Sequence, residues 1–346
     1  MIEKILKYKN NKNTSELEKE IVESKNARYM FLYLYFVNQN NIEKISDEIL
    51  KTQDFRYIHF LLRKFEIKSH KKFLDFILTN NDPRYLFNIL YDIDYLNNEE
   101  RINLINKIIL SNNNSYIVKS LYYYFVVLNM FDKDLFKIMV KMFKDIASLD
   151  MNFSNYKEIL EKTVFNYSDI EEKKEFSPNC YKGRKNYIPT IIVCHINNTY
   201  KSALYHFYNE KDEVSSHFVI RRDGYIKQVV SLDDSSWANG TSLNENSDVY
   251  YKFATTELIN KIDDNANYFT FSIEHESFDG SLTSEQLKST VKVMKKIIQY
   301  VKEKYNYDFQ IDRKHIIGHS EVNPIVRTKC PGNKFPFKII INELKK

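Results

Sequence analysis

The first 182 residues of this 346-residue chain contain no glycine; all six glycines lie at or after Gly183. A stretch that long without glycine has few ways to make tight turns or left-handed caps, which excludes a hairpin-rich N-terminal half and points to helices. Cysteine is scarce as well. Cys180, Cys194 and Cys330 are the three in the chain, too few for a disulfide framework, so reduced thiols are expected. Long apolar runs are missing: "YMFLYLYFV" is about half of what a bilayer crossing needs. The opening "MIEKILKYKNNKN" lacks the uninterrupted apolar core of a secretory signal, so synthesis in the cytoplasm is the expectation. Charge of one sign is lacking too. The balance of 51 basic against 46 acidic residues leaves +5, too little and too dispersed for nucleic acid, though suited to an anionic surface.

What is present fits a soluble globular protein of two domains, with 43% hydrophobic and 28% charged residues. The glycine-free half repeats itself. "ARYMFLYLYF", "FRYIHFLLRKF", "PRYLFNILYDI" and "SYIVKSLYYYF" place a tyrosine at Tyr29, Tyr57, Tyr85 and Tyr116, spaced 28, 28 and 31 apart. Shorter helical patterns lie between them. Asp54 and Asp82 stand where N-caps belong, and Pro83 stands at a first helical position. A period near 30 residues carrying two helices predicts an all-α helical-repeat, α-solenoid-like domain over residues 1–165. An irregular bundle with biased composition is the competing reading. Residues 166–176 read as a linker.

From residue 177 to 346 the pattern is α/β. "PTIIVCHI" is a continuous apolar strand, and "HFVIRRDGYIKQVV" is a hairpin around Asp223-Gly224. "FTFSIEHES" alternates, with Phe269, Phe271 and Ile273 on one face and Thr270, Ser272, Glu274 and Glu276 on the other. "TSEQLKSTVKVMKKIIQYVKEKYN" opens with a capping box at Thr283 and Gln286. Its stripe of Leu287, Val291, Met294, Ile298, Val301 and Tyr305 predicts an amphipathic helix. "RKHIIGH" reads as one more short strand. The expected fold is a mixed central sheet flanked by helices.

"GHSEVNPIVRTKCPGNKFP" carries the chemistry. His319 ends a strand, and Cys330 follows on a loop stiffened by Pro324 and Pro331. His195 closes "TIIVCHI" on the same face as Ile191 and Val193. Three ligands and one open position make a hydrolytic zinc site, and imidazole and thiolate suit that ion. Singly, each residue also has an ordinary structural reading, and the three together admit either.

In their order, the motifs resemble the zinc-dependent N-acetylmuramoyl-L-alanine amidases, a family of phage and bacterial wall lysins related to the peptidoglycan recognition proteins. "PNCYKGRKNYIPTIIVCHINNT" is similar to that family's opening strand, "VSSHFVIRRDGYIKQVV" to its central hairpin, and "SWANGTS" to a groove-lining segment. "FTFSIEHE" resembles the strand carrying the catalytic glutamate, and "IIGHSEVNPIVRTKCPG" the closing motif. The resemblance implies one Zn²⁺ held by His195, His319 and Cys330, with Glu274 as general base and Glu276 as a reserve candidate. It implies substrate contacts at His217, Trp237 and Asn239. Where many members carry an oxyanion lysine this chain has Thr328, flanked by Arg327 and Lys329; all three are expected at the substrate, with Arg327 as the favoured cation. Cys194, on the opposite sheet face, is expected to be a core thiol.

The implied activity is cleavage of the amide between N-acetylmuramic acid and L-alanine in bacterial peptidoglycan, after release of the protein through membrane lesions or lysis. A peptidoglycan-binding module without catalysis, and a zinc endopeptidase acting within the stem peptide, are the alternatives. The presence of Cys330 favours catalysis, because binding-only relatives typically lose that ligand. The helical half is expected to meet the wall or a protein partner. Wall targeting by it fails if residues 1–165 alone do not sediment with purified walls while the whole protein does.

Overall fold

The computed structural model describes residues 1–9, 14–143, 156–168 and 175–346. The chain divides into two compact units, Met1–Tyr156 and Lys157–Lys346. Among the described residues no helix is long and apolar enough to cross a membrane.

The first unit is helical: α1 (Ile2–Lys7), α2 (Ser15–Glu23), α3 (Ala27–Phe36), α4 (Ile42–Lys51), α5 (Phe55–Lys64), α6 (His70–Ile77), α7 (Pro83–Asp92), α8 (Asn98–Leu110), α9 (Asn114–Tyr122) and α10 (Lys133–Phe143). Each recurring tyrosine is the third residue of its helix: Tyr29 of α3, Tyr57 of α5, Tyr85 of α7 and Tyr116 of α9. A short polar side chain precedes each of these helices and accepts from a first-turn N–H. Asn26 serves Tyr29, Asp54 serves Arg56 and Tyr57, Asp82 serves Arg84, and Asn113 serves Tyr116. Each such cap contributes about 1 kcal/mol. Contacts run between near neighbours, α3 with α4 and α5, α5 with α6 and α7, and α7 with α8 and α9. These are the local contacts through which a stacked helical array buries its apolar faces.

The second unit takes in most of α11 (Tyr156–Val164), then β1 (Cys180–Tyr181), β2 (Ile191–Asn197), α12 (Tyr200–Tyr208), β3 (Phe218–Ile220), β4 (Ile226–Gln228) and β5 (Ser235–Ser236). It continues with α13 (Glu257–Asn260), β6 (Thr270–Glu276), α14 (Ser284–Tyr305), β7 (Ile316–Gly318), α15 (His319–Val322) and α16 (Phe337–Leu344). Residues 169–174, within the segment expected to be a linker, lie outside the described residues. The central sheet runs β4-β3-β6-β2-β7, with β3–β4 antiparallel and the other pairs parallel. β1 and β5 form a separate antiparallel pair.

One sheet face buries Ile192, Cys194, Phe271 and Ile273 against α14 and α16. The other buries Ile191 and Val193 with Ile259 and Val322, while α12 packs Ala203 and Phe207 near Val219. Cys194 is thus a core thiol. Phe269 departs from the expected alternation. It closes a 3₁₀ turn ahead of β6 and joins Ile191 and Val193, on the face opposite Phe271.

The buried stripe of α14 is Gln286, Thr290, Val293, Met294, Ile297 and Val301, rotated by about one residue from the apolar stripe. Hydrogen bonding accounts for the rotation. Gln286 Nε2 donates to the carbonyls of Glu276 (2.9 Å) and Ile220 (3.4 Å), the last residues of β6 and β3. Leu287, Val291, Ile298 and Tyr305 then pack, partly buried, along the edge of the core.

Ahead of β1, the segment containing α11 docks on the end of β6. The Tyr167 hydroxyl donates to the Glu276 carboxylate, which also accepts the backbone N–H of Tyr200 at 2.7 Å and of Arg222 at 3.1 Å. Phe165 packs against Phe278 with ring centroids 6.1 Å apart, and the Arg222 guanidinium lies over its ring. Glu276 is therefore an enclosed structural carboxylate, not a reserve base.

Candidate metal centre

Parallel strands direct the residues at their carboxyl ends into one crevice. β2 and β6 are central, and their register sets His195 beside Glu274. On the other side of β2, Cys194 pairs with Gly318, so the next residue, His319, emerges beside His195. The two imidazole centroids are 4.2 Å apart. Cys330 arrives on the loop after α15. The ligand atoms of His195, His319 and Cys330 all lie within 4.8 Å of one another.

This trio fits a zinc ion on its own chemistry. Burial pushes the His195 imidazole down to about 3, and burial with the neighbouring His195 pushes His319 well below the usual histidine range. Both rings are therefore neutral, as ligands must be. Among the described residues His195 Nε2 is buried without a hydrogen-bond partner. Leaving such an atom unpaired costs on the order of 1–3 kcal/mol, which a ligand bond would offset.

Glycines hold the Cys330 loop in place. A Cβ on Gly280 would meet the Pro331 carbonyl oxygen at 2.3 Å, one on Gly332 the Asp279 carbonyl oxygen at 2.4 Å, and one on Gly318 the Pro331 ring at 2.6 Å. Gly280 and Gly332 also have φ of +87° and +101°, which side-chain-bearing residues rarely adopt. The Cys330 carbonyl accepts the Ser320 N–H at 2.9 Å, tying the loop to α15. Gly332→Ala must displace main chain beside the thiolate. We expect it to weaken zinc binding about tenfold or more, read by chelator competition, while the helical unit keeps its circular dichroism signal.

Glu274 is 8% exposed and accepts no hydrogen bond among the described residues. Burial pushes its carboxyl up to about 8, and the Arg327 charge opposes that rise. Arg327 is exposed, makes no ion pair among the described residues, and its charge also bears on His195 and His319. A free guanidinium thus stands at the mouth of the cluster. Thr328 is nearly buried, with its hydroxyl unpartnered among the described residues, and Lys329 is half-buried. Asn239 is fully buried beside His195, and its Oδ1 also lacks a hydrogen-bond partner among the described residues. Trp237 is half-buried and lines a pocket together with Gly240.

The placement of His217 on a groove is corrected. It is fully buried, and Arg184 Nη2 approaches its Nε2 at 2.8 Å. Nε2 also lies 3.2 Å from the Asp234 carbonyl, while the Ser272 N–H approaches Nδ1 at 3.1 Å and the hydroxyls of Ser272 and Ser236 lie 3.0 Å from it. Among the described residues both ring nitrogens are engaged by the protein, so neither is left for substrate. Arg184 also donates to the carbonyls of Leu232 (3.0 Å) and Thr270 (3.1 Å), which makes this a closed network under the site.

His275 has a role that the sequence reading did not assign. Its Nδ1 lies 2.9 Å from the His195 carbonyl and its Nε2 lies 3.0 Å from Thr290 Oγ1, so α14 steadies the backbone of a candidate ligand. The signal was its place in "IEHE", where alternation aims it away from Glu274 and toward the helix.

Comparison with known proteins follows the same half of the chain. Residues 184–333 match the family model described as N-acetylmuramoyl-L-alanine amidase. No curated protein matches. Similar solved structures include a selenomethionine derivative of AmpD, at 20% identity and TM-score 0.35, covering 49% of this chain and 92% of that one. Another is the N-acetylmuramoyl-L-alanine amidase LysC from Clostridium intestinale URNW, at 21% identity and TM-score 0.33, covering 51% of this chain and 96% of that one. The endolysin amidase LysCS of the same organism matches at 21% identity and TM-score 0.33, covering 51% and 94%.

Proposed function

We propose that this chain, whose residues 184–333 match the N-acetylmuramoyl-L-alanine amidase family model, is a peptidoglycan hydrolase that cleaves the amide between N-acetylmuramic acid and L-alanine. The observation that carries the reading is the convergence of two neutral imidazoles and a thiol within 4.8 Å, next to a carboxyl that accepts no hydrogen bond among the described residues. His195, His319 and Cys330 would hold one Zn²⁺. Bound there, the ion supplies Lewis acidity toward the scissile carbonyl and toward water.

The remaining steps belong to side chains. Glu274 takes the proton of the attacking water on a carboxylate oxygen as the water oxygen bonds to the carbonyl carbon. It returns that proton to the alanine nitrogen as the C–N bond breaks, leaving a lactyl carboxylate and a peptide with a free L-alanine amino terminus. Arg327 stabilises the negative charge that develops on the carbonyl oxygen. We expect Arg327→Ala to lower kcat roughly tenfold to a hundredfold with zinc content unchanged, and Arg327→Lys to recover part of the loss. A kcat equal to wild type in Arg327→Ala would remove this residue from the mechanism.

The test of the reaction itself is the amino terminus released from purified wall. L-Alanine ends support the amidase; ends at another stem residue indicate an endopeptidase. Binding to wall without any new terminus indicates a recognition module.

A further inference from the structure

The turn at residues 277–281, between β6 and α14, is pressed from two sides. On one side its main chain abuts the loop that carries Cys330. A Cβ added at Gly280 would meet the Pro331 carbonyl oxygen at 2.3 Å and the Gly332 Cα at 3.1 Å. One added at Gly332 would meet the Asp279 carbonyl oxygen at 2.4 Å. Backbone thus lies against backbone, with no side chain between them to absorb a shift. Lys334 adds a clasp, its Nζ donating to Asp279 Oδ2 at 2.8 Å. The turn also reaches the strand of another candidate ligand, since the Ser277 N–H donates to the Asn197 carbonyl at 3.0 Å, at the end of β2.

On the other side the turn presents Phe278, which is 2% exposed. Phe165 lies edge-on to it, with ring centroids 6.1 Å apart and planes at 79°. Phe165 closes α11, its N–H donating to the Glu161 carbonyl at 2.9 Å, and the chain is anchored before and after that ring. Before it, Glu161 Oε1 accepts from Arg222 Nη2 at 3.1 Å, and the same guanidinium lies 4.6 Å from the Phe165 centroid. After it, Tyr167 donates to Glu276, and the Arg221 guanidinium lies 3.9 Å from the Tyr167 centroid. The turn itself is braced from within. Ser277 Oγ accepts the Gly280 N–H at 3.0 Å and donates to the Ser281 carbonyl at 2.9 Å, so Phe278 and Gly280 move together.

We propose that Phe165 is a positioning residue for the metal centre. By covering Phe278 it fixes the braced turn, and the turn fixes the Pro331–Gly332 main chain next to the Cys330 thiol. Phe165 lies ahead of residues 184–333, the stretch that matches the amidase family model. The inference rests on the zinc reading of His195, His319 and Cys330, and it adds a residue from outside that stretch. A merely stabilising contact would raise the thermal midpoint and leave zinc affinity alone. A positioning contact changes zinc affinity in protein that is fully folded.

The experiment measures zinc affinity of the full-length protein by competition with a chromophoric chelator, at a temperature well below the thermal midpoint of every variant. Phe165→Ala should weaken zinc binding roughly tenfold, the scale for losing a group that supports a metal ligand. Phe278→Ala should weaken it by a similar factor. Because the two rings act in series, the double variant should bind zinc no worse than the weaker single one. Phe165→Leu keeps an apolar cover and should lie between wild type and Phe165→Ala. Val301→Ala truncates a fully buried side chain toward the other end of α14, so it should lower the thermal midpoint without changing zinc affinity. Wild-type affinity in Phe165→Ala overturns the proposal, and so do effects of the two phenylalanines that add. An equal loss of zinc affinity in Val301→Ala also overturns it, by reducing Phe165 to a stabilising contact. If alanine at 165 does not fold, Phe165→Leu decides, and wild-type affinity in that variant overturns the proposal. Zinc held equally by wild type and the Phe165 variants sinks only this inference, whereas a wild-type protein that binds no zinc sinks the metal reading as well.

Discussion

Replacing Cys330 by serine should strip the protein of zinc and of activity together. A serine hydroxyl is a poor ligand at neutral pH, and the two remaining imidazoles make an incomplete site. Loss of an outer-sphere partner to a metal ligand typically costs ten to a hundredfold in affinity. Loss of a ligand should therefore exceed about a hundredfold. Metal analysis after dialysis, with turbidity loss of purified walls, reads both quantities. Serine differs from cysteine only in its γ atom, so it fits the Cys330 position without a steric change. The effect is then one of ligand chemistry, and the thermal midpoint of the zinc-free protein should match that of zinc-free wild type. A Cys330→Ser protein that keeps one zinc and clears walls at the wild-type rate would dismantle the metal centre described here.

Glu274→Gln should separate metal from chemistry. Glutamine keeps the shape and removes the proton acceptor, so zinc stays at one equivalent while kcat falls by roughly 10²–10⁴. The pH profile carries a second signature. Burial pushes Glu274 up to about 8, and Arg327 opposes the rise. A general base works deprotonated, so kcat/KM should climb with pH through the Glu274 transition. Removing the opposing charge in Arg327→Ala raises that pKa further and should move the acidic limb of the profile to higher pH. A bound cation acts in the same sense as Arg327, so the zinc-loaded limb should lie below 8. An acidic limb that survives in Glu274→Gln would place the base elsewhere.

Local rules carried much of this structure into the sequence. The tyrosine period was legible because each Tyr follows a capping Asn or Asp at a fixed offset, and capping is decided within one turn. His195 and Glu274 were legible because both sit on continuous strands whose alternation sets direction. His217 was not. Its burial depends on Arg184, 33 residues away, and on Ser272, 55 residues away, and no local pattern encodes that meeting. The face of α14 was misjudged for a related reason. Apolar periodicity gives no weight to Gln286 and Thr290, which are buried because strand-end groups need their hydrogen bonds. The pocket behind Trp237 draws on four separate segments of the chain, and of its lining only Tyr181, Trp237 and Gly240 lie in the motifs that the sequence offers.

The docking of Tyr167 on Glu276 bears on where this polypeptide can be cut. Trimming at Ser177 would discard the hydroxyl that serves a deeply enclosed acid, two positions along β6 from Glu274, and strip the covering from Phe278. The acid is already held above the ordinary carboxyl range by burial, against the pull of that same hydroxyl. A catalytic fragment that behaves like its parent should therefore begin near Lys157, well upstream of the stretch that kinship alone would mark out.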